Sequence, residues 1–176
     1  MPNCCCTEKP TNLDAVRCPV SGSAGTAVDL QTVKALLTET SLRRLTLGDY
    51  RFCADAACPV VYFNANGTCF APTDIRVPVW HKEPFGARSI CYCFGESEAT
   101  IREEIKASGR SLAAERVREH IAAGRCACEI RNPRGACCLS DVIAAVKRVE
   151  SAIGVRLDAE GESRVGHVTR TAADDR

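Results

Sequence analysis

Thirteen of the 176 residues are cysteines, and many of them stand next to each other or one residue apart. A disulfide joins Cα atoms about 5.5 Å apart with a defined dihedral angle, so adjacent cysteines rarely pair with each other. Thiolates that converge on a soft metal ion or an iron–sulfur cluster use such spacings readily. The odd number of cysteines and the lack of a signal peptide also speak against a disulfide framework. Metal binding is therefore the favoured interpretation.

Six thiols in the second half of the chain are spaced for a [2Fe–2S] cluster. Two of them come just before a predicted helix and four lie between two further predicted helices: Cys91, Cys93, Cys126, Cys128, Cys137 and Cys138. Such a cluster needs four thiolates, and the free N–H groups of helix N-termini can stabilise their negative charge. Zinc is the rival occupant, but zinc sites prefer CxxC knuckles, and this half has none. The spacing favours the cluster and leaves open which four thiols bind it.

The first half is predicted to form a small β-rich module over residues 18–79. Asp29 can cap a short helix whose apolar residues fall on one face. Further along, β-branched and aromatic residues flank Cys53 and Cys58, which predicts a strand, a tight knuckle and a second strand. Residues 64–67 then predict a turn into another short strand. The expected fold class is α+β, with a zinc-knuckle module followed by a helical one.

Three helices are predicted for the second module, residues 90–153, which follows a proline-rich linker at residues 80–89. Ser97 and Ser111 can cap the first two helices. The third carries the clearest amphipathic stripe in the chain: Leu139, Val142, Ile143, Val146, Val149 and Ile153. The two ends show no periodicity and predict a flexible cysteine-rich arm at residues 1–17 and a disordered tail at residues 154–176.

Composition excludes several classes of function. The formal net charge is +1 and 45% of the residues are apolar, which does not suit a protein built mainly to hold nucleic acid. The longest apolar runs, such as residues 59–63, are too short to span a bilayer. No hydrolase, P-loop, metalloprotease or dinucleotide motif is present. We expect a cytoplasmic binding protein rather than an enzyme, apart from a metal-ion reductase activity that a cluster would allow.

Two known families resemble parts of this pattern. The stretch Cys91-Tyr92-Cys93-Phe94-Gly95, followed by helices and Gly124-Arg125-Cys126, resembles the [2Fe–2S]-binding fold of bacterioferritin-associated ferredoxin. The stretch from Cys128 through Asn132-Pro133-Arg134-Gly135 to Cys138 is instead similar to the N-terminal region of CopZ-type copper chaperones, which joins a zinc module to a [2Fe–2S] module. The first module agrees, with Cys18-Pro19 and Cys53-x4-Cys58-Pro59. The resemblance covers roughly residues 18–150, in the same order.

The resemblance implies one set of ligands for each metal group. The [2Fe–2S] ligands would be Cys91, Cys93, Cys128 and Cys138. The simpler ferredoxin register puts Cys126 in the third place, and Cys137 competes with Cys138 for the fourth. The loop residues Asn132, Pro133 and Gly135 are interpreted as a turn.

The zinc ligands implied by the resemblance are Cys18, Cys53 and Cys58. The family pattern opens with CPxC, whereas this chain has Ser21 in the last of these positions. Because serine is a poor zinc ligand, the fourth donor stays open among Cys69, His81, a thiol of the arm and water. An open three-thiolate site also suits a soft monovalent ion such as Cu(I).

The function implied by the resemblance is copper handling. The cluster would reduce Cu(II) to Cu(I) before transfer to a copper-transporting P-type ATPase or to a separate copper-carrying chaperone domain. The family's copper-carrying MxCxxC motif is absent from these residues. The chain would then be the redox partner of a copper carrier, or it would carry metal on its own thiols, such as Cys4, Cys5 and Cys6. The alternative is an electron-transfer or regulatory ferredoxin-like adaptor without metal cargo.

Overall fold

The computed structural model describes residues 16–162 of the chain. Cys4, Cys5 and Cys6 of the predicted arm lie outside the described residues, as does the predicted tail beyond residue 162. Within the described part, a small antiparallel sheet precedes a helical half, so the α+β expectation is confirmed. None of the helices between residues 16 and 162 is both long and apolar enough to cross a membrane.

The first half contains four short strands and two helices. In chain order they are β1 (Thr26–Val28), α1 (Leu30–Leu36), α2 (Glu39–Leu42), β2 (Tyr50–Phe52), β3 (Tyr62–Asn64) and β4 (Cys69–Phe70). Each strand pairs antiparallel with the next, giving the order β1-β2-β3-β4. The predicted helix after Asp29 and the last three strands are confirmed. Strand β1 has no counterpart among the predicted strands, because it contains none of the aromatic residues that mark the other three strands.

The sheet divides the side chains of the first half between two faces. Phe52, Tyr62 and Phe70 lie opposite one another on neighbouring strands, and all three pack with the apolar side of α1. Successive side chains of a strand point to opposite faces, so the residue next to each of these aromatics faces the other way. Those neighbours are Cys53, Phe63 and Cys69, and they form a separate cluster with Cys18 and Cys58. The alternation thus makes one face aromatic and the other rich in thiols.

Gly25, just before β1, allows the chain to lie directly against the thiol face. A Cβ atom at this position would lie 2.5 Å from the Phe63 ring and 2.7 Å from the Cβ of Arg51. Any larger side chain would therefore push β1 away from Phe63, which is fully buried.

The second half is helical. Its elements are α3 (Glu98–Ser108), α4 (Ala113–Ala122), α5 (Cys128–Arg131) and α6 (Leu139–Glu162). Ser97 caps α3 as predicted, because its hydroxyl accepts a hydrogen bond from the N–H of Thr100. The N-cap residue of α4 is Leu112, and the predicted cap Ser111 instead accepts a bond from the N–H of Ala113. Helices α3, α4 and α6 enclose the core: Ile90, Ile101, Ile105, Val117, Val142 and Val149.

Helix α6 is longer than predicted. It continues to Glu162, so residues 154–162 are helical and the prediction of disorder is wrong for them. Gly154 lies inside α6 and does not have the positive φ that ends α3 at Gly109. A glycine inside a helix costs only about 1 kcal/mol relative to alanine. The helix therefore continues through it.

The connection between the two halves is packed against both of them. It contains a 3-10 turn at Pro72–Asp74 and another at Trp80–Lys82. The amide of Trp80 donates to the hydroxyl of Tyr92, which donates in turn to the carbonyl of Pro78 at 2.8 Å. Glu98 of α3 is 2% exposed and accepts a hydrogen bond from the amide of Gly86. These contacts hold the predicted linker in place.

Direct hydrogen bonds also join the two halves. The Tyr62 hydroxyl donates to the carbonyl of Pro133 at 2.6 Å, and the Thr32 hydroxyl donates to the carbonyl of Glu129. Burial raises the pKa of Tyr62, so the phenol keeps its proton and remains a donor. Both accepting carbonyls belong to the segment between Cys128 and Cys138. The aromatic sheet therefore supports the loop that carries two of the predicted cluster ligands.

Tyr62→Phe should weaken this support. It leaves the buried carbonyl of Pro133 without its partner, which typically costs about 1–3 kcal/mol. We expect a lower free energy of unfolding in urea and faster hydrogen exchange at the amide of Gly135, which bonds to the carbonyl of Asn132. Tyr50→Phe is the matched control, because it removes a buried hydroxyl that bonds only within the first half. Equal exchange at Gly135 in both variants would contradict the proposed support.

Candidate metal centres

Three cysteines form a first cluster of thiols, which is called the first thiol group below: Cys18, Cys53 and Cys58. All three residues are buried, and their sulfur atoms lie within 4.8 Å of one another. Cys18 begins a tight turn in which the amide of Gly22 donates to its carbonyl. Cys53 follows β2, and Cys58 closes the predicted knuckle through a hydrogen bond from its amide to the carbonyl of Asp55. Three segments distant in sequence therefore place three thiols around one point.

The spacing of these thiols suits a tetrahedral metal ion. The sulfur atoms of Cys18 and Cys58 are 3.7 Å apart, far beyond a disulfide bond. Two thiolates on one zinc ion, each with a Zn–S bond of about 2.3 Å, are about 3.8 Å apart in a tetrahedron. The donor set is all sulfur in these three positions, which zinc accepts readily. A zinc ion bound here would link the turn, the strand and the knuckle.

Neighbouring groups adjust the acidity of these thiols. Burial acts to raise the pKa of Cys18, but hydrogen bonds from Ser21 and other groups lower it to about 7. Burial raises the pKa of Cys53, an effect that Ser21 and the charge of Lys82 partly offset. The Lys82 ammonium donates to the carbonyl of Asp55 and so lies beside the knuckle. Sequence reasoning missed Lys82, because it belongs to the connecting segment rather than to the zinc module.

The structure places two of the candidate fourth donors in different surroundings. Cys69 packs against the thiol group from β4, and burial together with Cys18 and Cys58 raises its pKa. His81 lies against Phe52 and Trp80 instead, with ring centroids 4.9 and 3.8 Å away. Burial lowers the pKa of His81 to about 4, and its Nδ1 is buried without a hydrogen-bond partner. The structure thus brings Cys69, and not His81, to the thiol face.

The second thiol group is formed by the predicted ligands Cys91, Cys93, Cys128 and Cys138. The sulfur atoms of Cys93 and Cys128 are 3.8 Å apart, and the Cys138 thiol hydrogen-bonds with Cys91 and with Cys128. The contacts therefore run in a row from Cys91 through Cys138 and Cys128 to Cys93. In residues 16–162 the first thiol group alone has three sulfur atoms all within 4.8 Å of one another. The second group is more extended.

The acidity of the second group is uneven. Hydrogen bonds from Cys138 lower the pKa of Cys128 to about 6 and that of Cys91 to about 7. Burial raises the pKa of Cys93 to about 12. Hydrogen bonds with Cys128 and Cys91 raise the pKa of Cys138. The pKa values of Cys91 and Cys128 are therefore lowered, and those of Cys93 and Cys138 are raised.

The two remaining thiols lie at the edge of this row. Cys126 is half-buried and interacts with Cys128 and Cys137, and burial raises its pKa to about 11. Cys137 is also half-buried, and its carbonyl accepts a hydrogen bond from Arg134. Cys128 and Cys138 are more deeply buried than these neighbours.

In the loop between Cys128 and Cys138, the residues after α5 form the turn expected from the sequence. Asn132 is 1% exposed, and its amide nitrogen donates to the carbonyl of Ala136 at 2.7 Å. Its side-chain oxygen accepts from the amide of Arg134, and its carbonyl accepts from the amide of Gly135. Gly135 has φ 65° and lies against Thr32 of α1. The loop therefore brings Cys138 back to Cys128 and packs against the first half.

Comparison with known proteins shows a relationship to copper chaperones. Residues 15–76 match the family of zinc binding domains of the CopZ type. The chain is 29% identical over 150 residues to the copper chaperone CopZ of Archaeoglobus fulgidus, covering 81% of this chain and 71% of that protein. The X-ray structure of the N-terminal domain of that protein matches with a TM-score of 0.57 and 32% identity, covering 70% of this chain and 92% of that one. The structural similarity therefore extends beyond the zinc binding domain into the second half.

Replacing a thiol of the first group should release zinc. We expect Cys18→Ser, Cys53→Ser and Cys58→Ser each to lower the zinc content of the purified protein, because each removes one of three converging thiolates. Cys69→Ser is the control, since Cys69 lies on the same face but outside the group. Elemental analysis of the four variants gives the answer. Full zinc in any of the first three would remove that residue from the ligand set.

Proposed function

Because residues 15–76 belong to the family of CopZ-type zinc binding domains, we propose that this chain is a copper-handling protein whose second half binds a [2Fe–2S] cluster. In this proposal the zinc module is structural and supports the loop of the cluster module. The cluster ligands are Cys91, Cys93, Cys128 and Cys138. The cluster serves in electron transfer, with the reduction of Cu(II) to Cu(I) as its role in copper handling. We place this function in the cytoplasm.

The row of four thiols in the second half carries the proposal. A single tetrahedral ion draws all its ligands around one point, as in the first thiol group. A [2Fe–2S] cluster has two irons and four thiolate ligands, so its ligands divide into two close pairs that are farther from each other. The sulfur atoms of Cys93 and Cys128 are 3.8 Å apart, and Cys138 interacts with both Cys128 and Cys91, so the four thiols extend along a row and do not surround one point. The extended arrangement therefore favours a cluster over a single zinc ion.

The surroundings of the row suit an anionic iron–sulfur group. The amide of Ala127 donates to the sulfur of Cys93 at 3.4 Å, which stabilises negative charge on that ligand. Cys91, Cys128 and Cys138 are buried, which keeps water from most of the site. The side of Cys93 and Cys126 is more open. A redox partner would approach from this open side, and a bound cluster would supply or accept a single electron there.

Copper is the cargo of the protein in this proposal, not a resident metal. Cu(I) prefers thiolates, and the relative from Archaeoglobus fulgidus is a copper chaperone. The 176 residues contain no MxCxxC motif, and the candidate cargo ligands among them are Cys4, Cys5 and Cys6. The receiving partner is a copper-transporting P-type ATPase or a separate copper-carrying domain. The second candidate function is an electron-transfer adaptor without cargo.

The assignment of the cluster ligands has a direct test. Anaerobically purified protein should contain about two irons and two sulfides per chain and show visible absorption that dithionite bleaches. Cys128→Ser and Cys138→Ser should lose this absorption, because each removes an iron ligand. Their neighbours provide the matched controls, and Cys126→Ser and Cys137→Ser should retain it. Loss in a control variant with retention in its neighbour would reassign the ligand, and colourless protein after reconstitution would refute the cluster.

Cargo binding separates the two candidate functions. The triple variant with Cys4, Cys5 and Cys6 changed to Ser should bind less Cu(I) in competition with a chromophoric chelator, while its iron and zinc contents stay unchanged. That result supports copper capture by the arm, since thiolates are the preferred ligands of Cu(I). Equal and weak Cu(I) binding by the wild type and the variant would favour the adaptor.

A further inference from the structure

The turn that carries Cys18 places a serine hydroxyl beside the three thiols of the first group. The oxygen of Ser21 lies 3.6 Å from the sulfur of Cys53. We propose that Ser21 is the fourth donor of this metal site, so that the chain binds zinc through three thiolates and one hydroxyl oxygen. The proposal concerns the zinc binding domain alone. It does not depend on the cluster or on copper.

The distances match the edges of a mixed tetrahedron. With a Zn–S bond of about 2.3 Å and a Zn–O bond of about 2.0–2.2 Å, a thiolate and an oxygen on one zinc ion are about 3.6 Å apart. The separation between Ser21 and Cys53 has this value, and that between Cys18 and Cys58 fits the edge between two thiolates. Two opposite edges of the same tetrahedron are therefore already present in the protein. Together they involve all four proposed donors.

The local backbone holds the Ser21 hydroxyl in this position. The amide of Gly22 closes the turn onto the carbonyl of Cys18, and Gly22 has φ 70°, which favours glycine. The amide of Ser23 donates to the oxygen of Ser21 at 3.3 Å. A hydroxyl oxygen has two lone pairs, so it can accept this bond and still bind a metal ion. Ser21 is half-buried, and these turn contacts hold its hydroxyl beside the three thiols.

The charge of the site is compatible with a neutral fourth donor. Three thiolates and Zn²⁺ carry one net negative charge, and a serine hydroxyl adds none, as water does in sites with three protein ligands. The Lys82 ammonium lies beside the knuckle and interacts favourably with the Cys53 thiolate. A fourth thiolate would add a second negative charge in a buried position. The single lysine would compensate it less completely.

This donor set should make zinc exchange faster than it is in a site with four cysteine ligands. Oxygen of a neutral hydroxyl is a weaker zinc ligand than a thiolate, so one position of the tetrahedron opens more easily than the other three. The site should therefore release zinc to a chelator faster than an all-cysteine site does. The competing donor is Cys69, which lies on the same face and interacts with Cys18 and Cys58.

X-ray absorption spectroscopy at the zinc edge gives the number and type of the atoms bound to zinc. It is measured on the 176-residue protein loaded with equimolar zinc. The wild type and Cys69→Ser should both show three sulfurs at about 2.3 Å and one oxygen at about 2.0–2.2 Å. Ser21→Cys should show four sulfurs. Four sulfurs in the wild type would overturn the proposal, and loss of one of them in Cys69→Ser would identify Cys69 as the donor. The zinc edge does not sense iron, so this result stands whether or not a cluster is present.

Chelator-driven zinc release distinguishes the hydroxyl of Ser21 from a bound water. Removing a residue that only hydrogen-bonds to a metal ligand typically lowers the metal affinity about tenfold or more. Ser21→Ala would remove a direct ligand, so we expect it to release zinc about tenfold faster or more. Ser21→Thr keeps the hydroxyl and should release zinc nearly as slowly as the wild type. Ser21→Cys should be slower than the wild type. Equal rates for Ser21→Ala and the wild type would assign the oxygen to water and overturn the proposal.

Discussion

The alternation of side chains across a small antiparallel sheet organises the first half of this protein. Each of three strand segments places an aromatic residue toward α1 and its neighbour toward the opposite face. The same backbone that builds the aromatic core therefore delivers Cys53 and Cys69 to the face where Cys18 and Cys58 lie. A one-residue shift in register would reverse both faces at once. The metal site and the apolar core consequently depend on one pairing pattern.

The second half depends on the first through the loop between Cys128 and Cys138. Tyr62 and Thr32 bond to carbonyls of this segment, and Gly135 lies against α1. The connecting segment in turn contacts the first thiol group, because the Lys82 ammonium donates a hydrogen bond to the carbonyl of Asp55 in the knuckle. The two thiol groups are thus held by elements that contact each other. A change in the position of either thiol group would therefore be transmitted to the other through these contacts.

The two thiol groups differ in shape, and the difference is chemical. The first is compact, with a serine oxygen at its edge, and suits a single tetrahedral ion. The second is an extended row of thiols, which is why the proposed occupant is a group with two metal atoms. The compact site fits a structural role, and the extended site has a more open edge at Cys93, from which a partner would approach in the proposed function.

Local patterns in the sequence are sufficient to predict α1, the knuckle, the turn at Asn132 and most of the helices. These features depend on caps, on apolar spacing and on turn residues, which act over a few positions. The end of α6 escapes such prediction because a helix that is already packed can continue through a glycine at small cost. Strand β1 escapes it because, unlike the other three strands, it contains no aromatic residue. The contacts of Lys82 and Tyr62 leave no signal, since each joins segments far apart in the chain.

The sequence by itself determined that the thiols are arranged for metals and which of them are candidates. Only the tertiary structure decided that Cys69 and Ser21 share a face with the first thiol group while His81 does not. It likewise placed Cys138 between Cys91 and Cys128. The physical reason is that spacing along the chain fixes only local geometry. A metal site is defined by which distant segments the sheet register and the helix packing bring together.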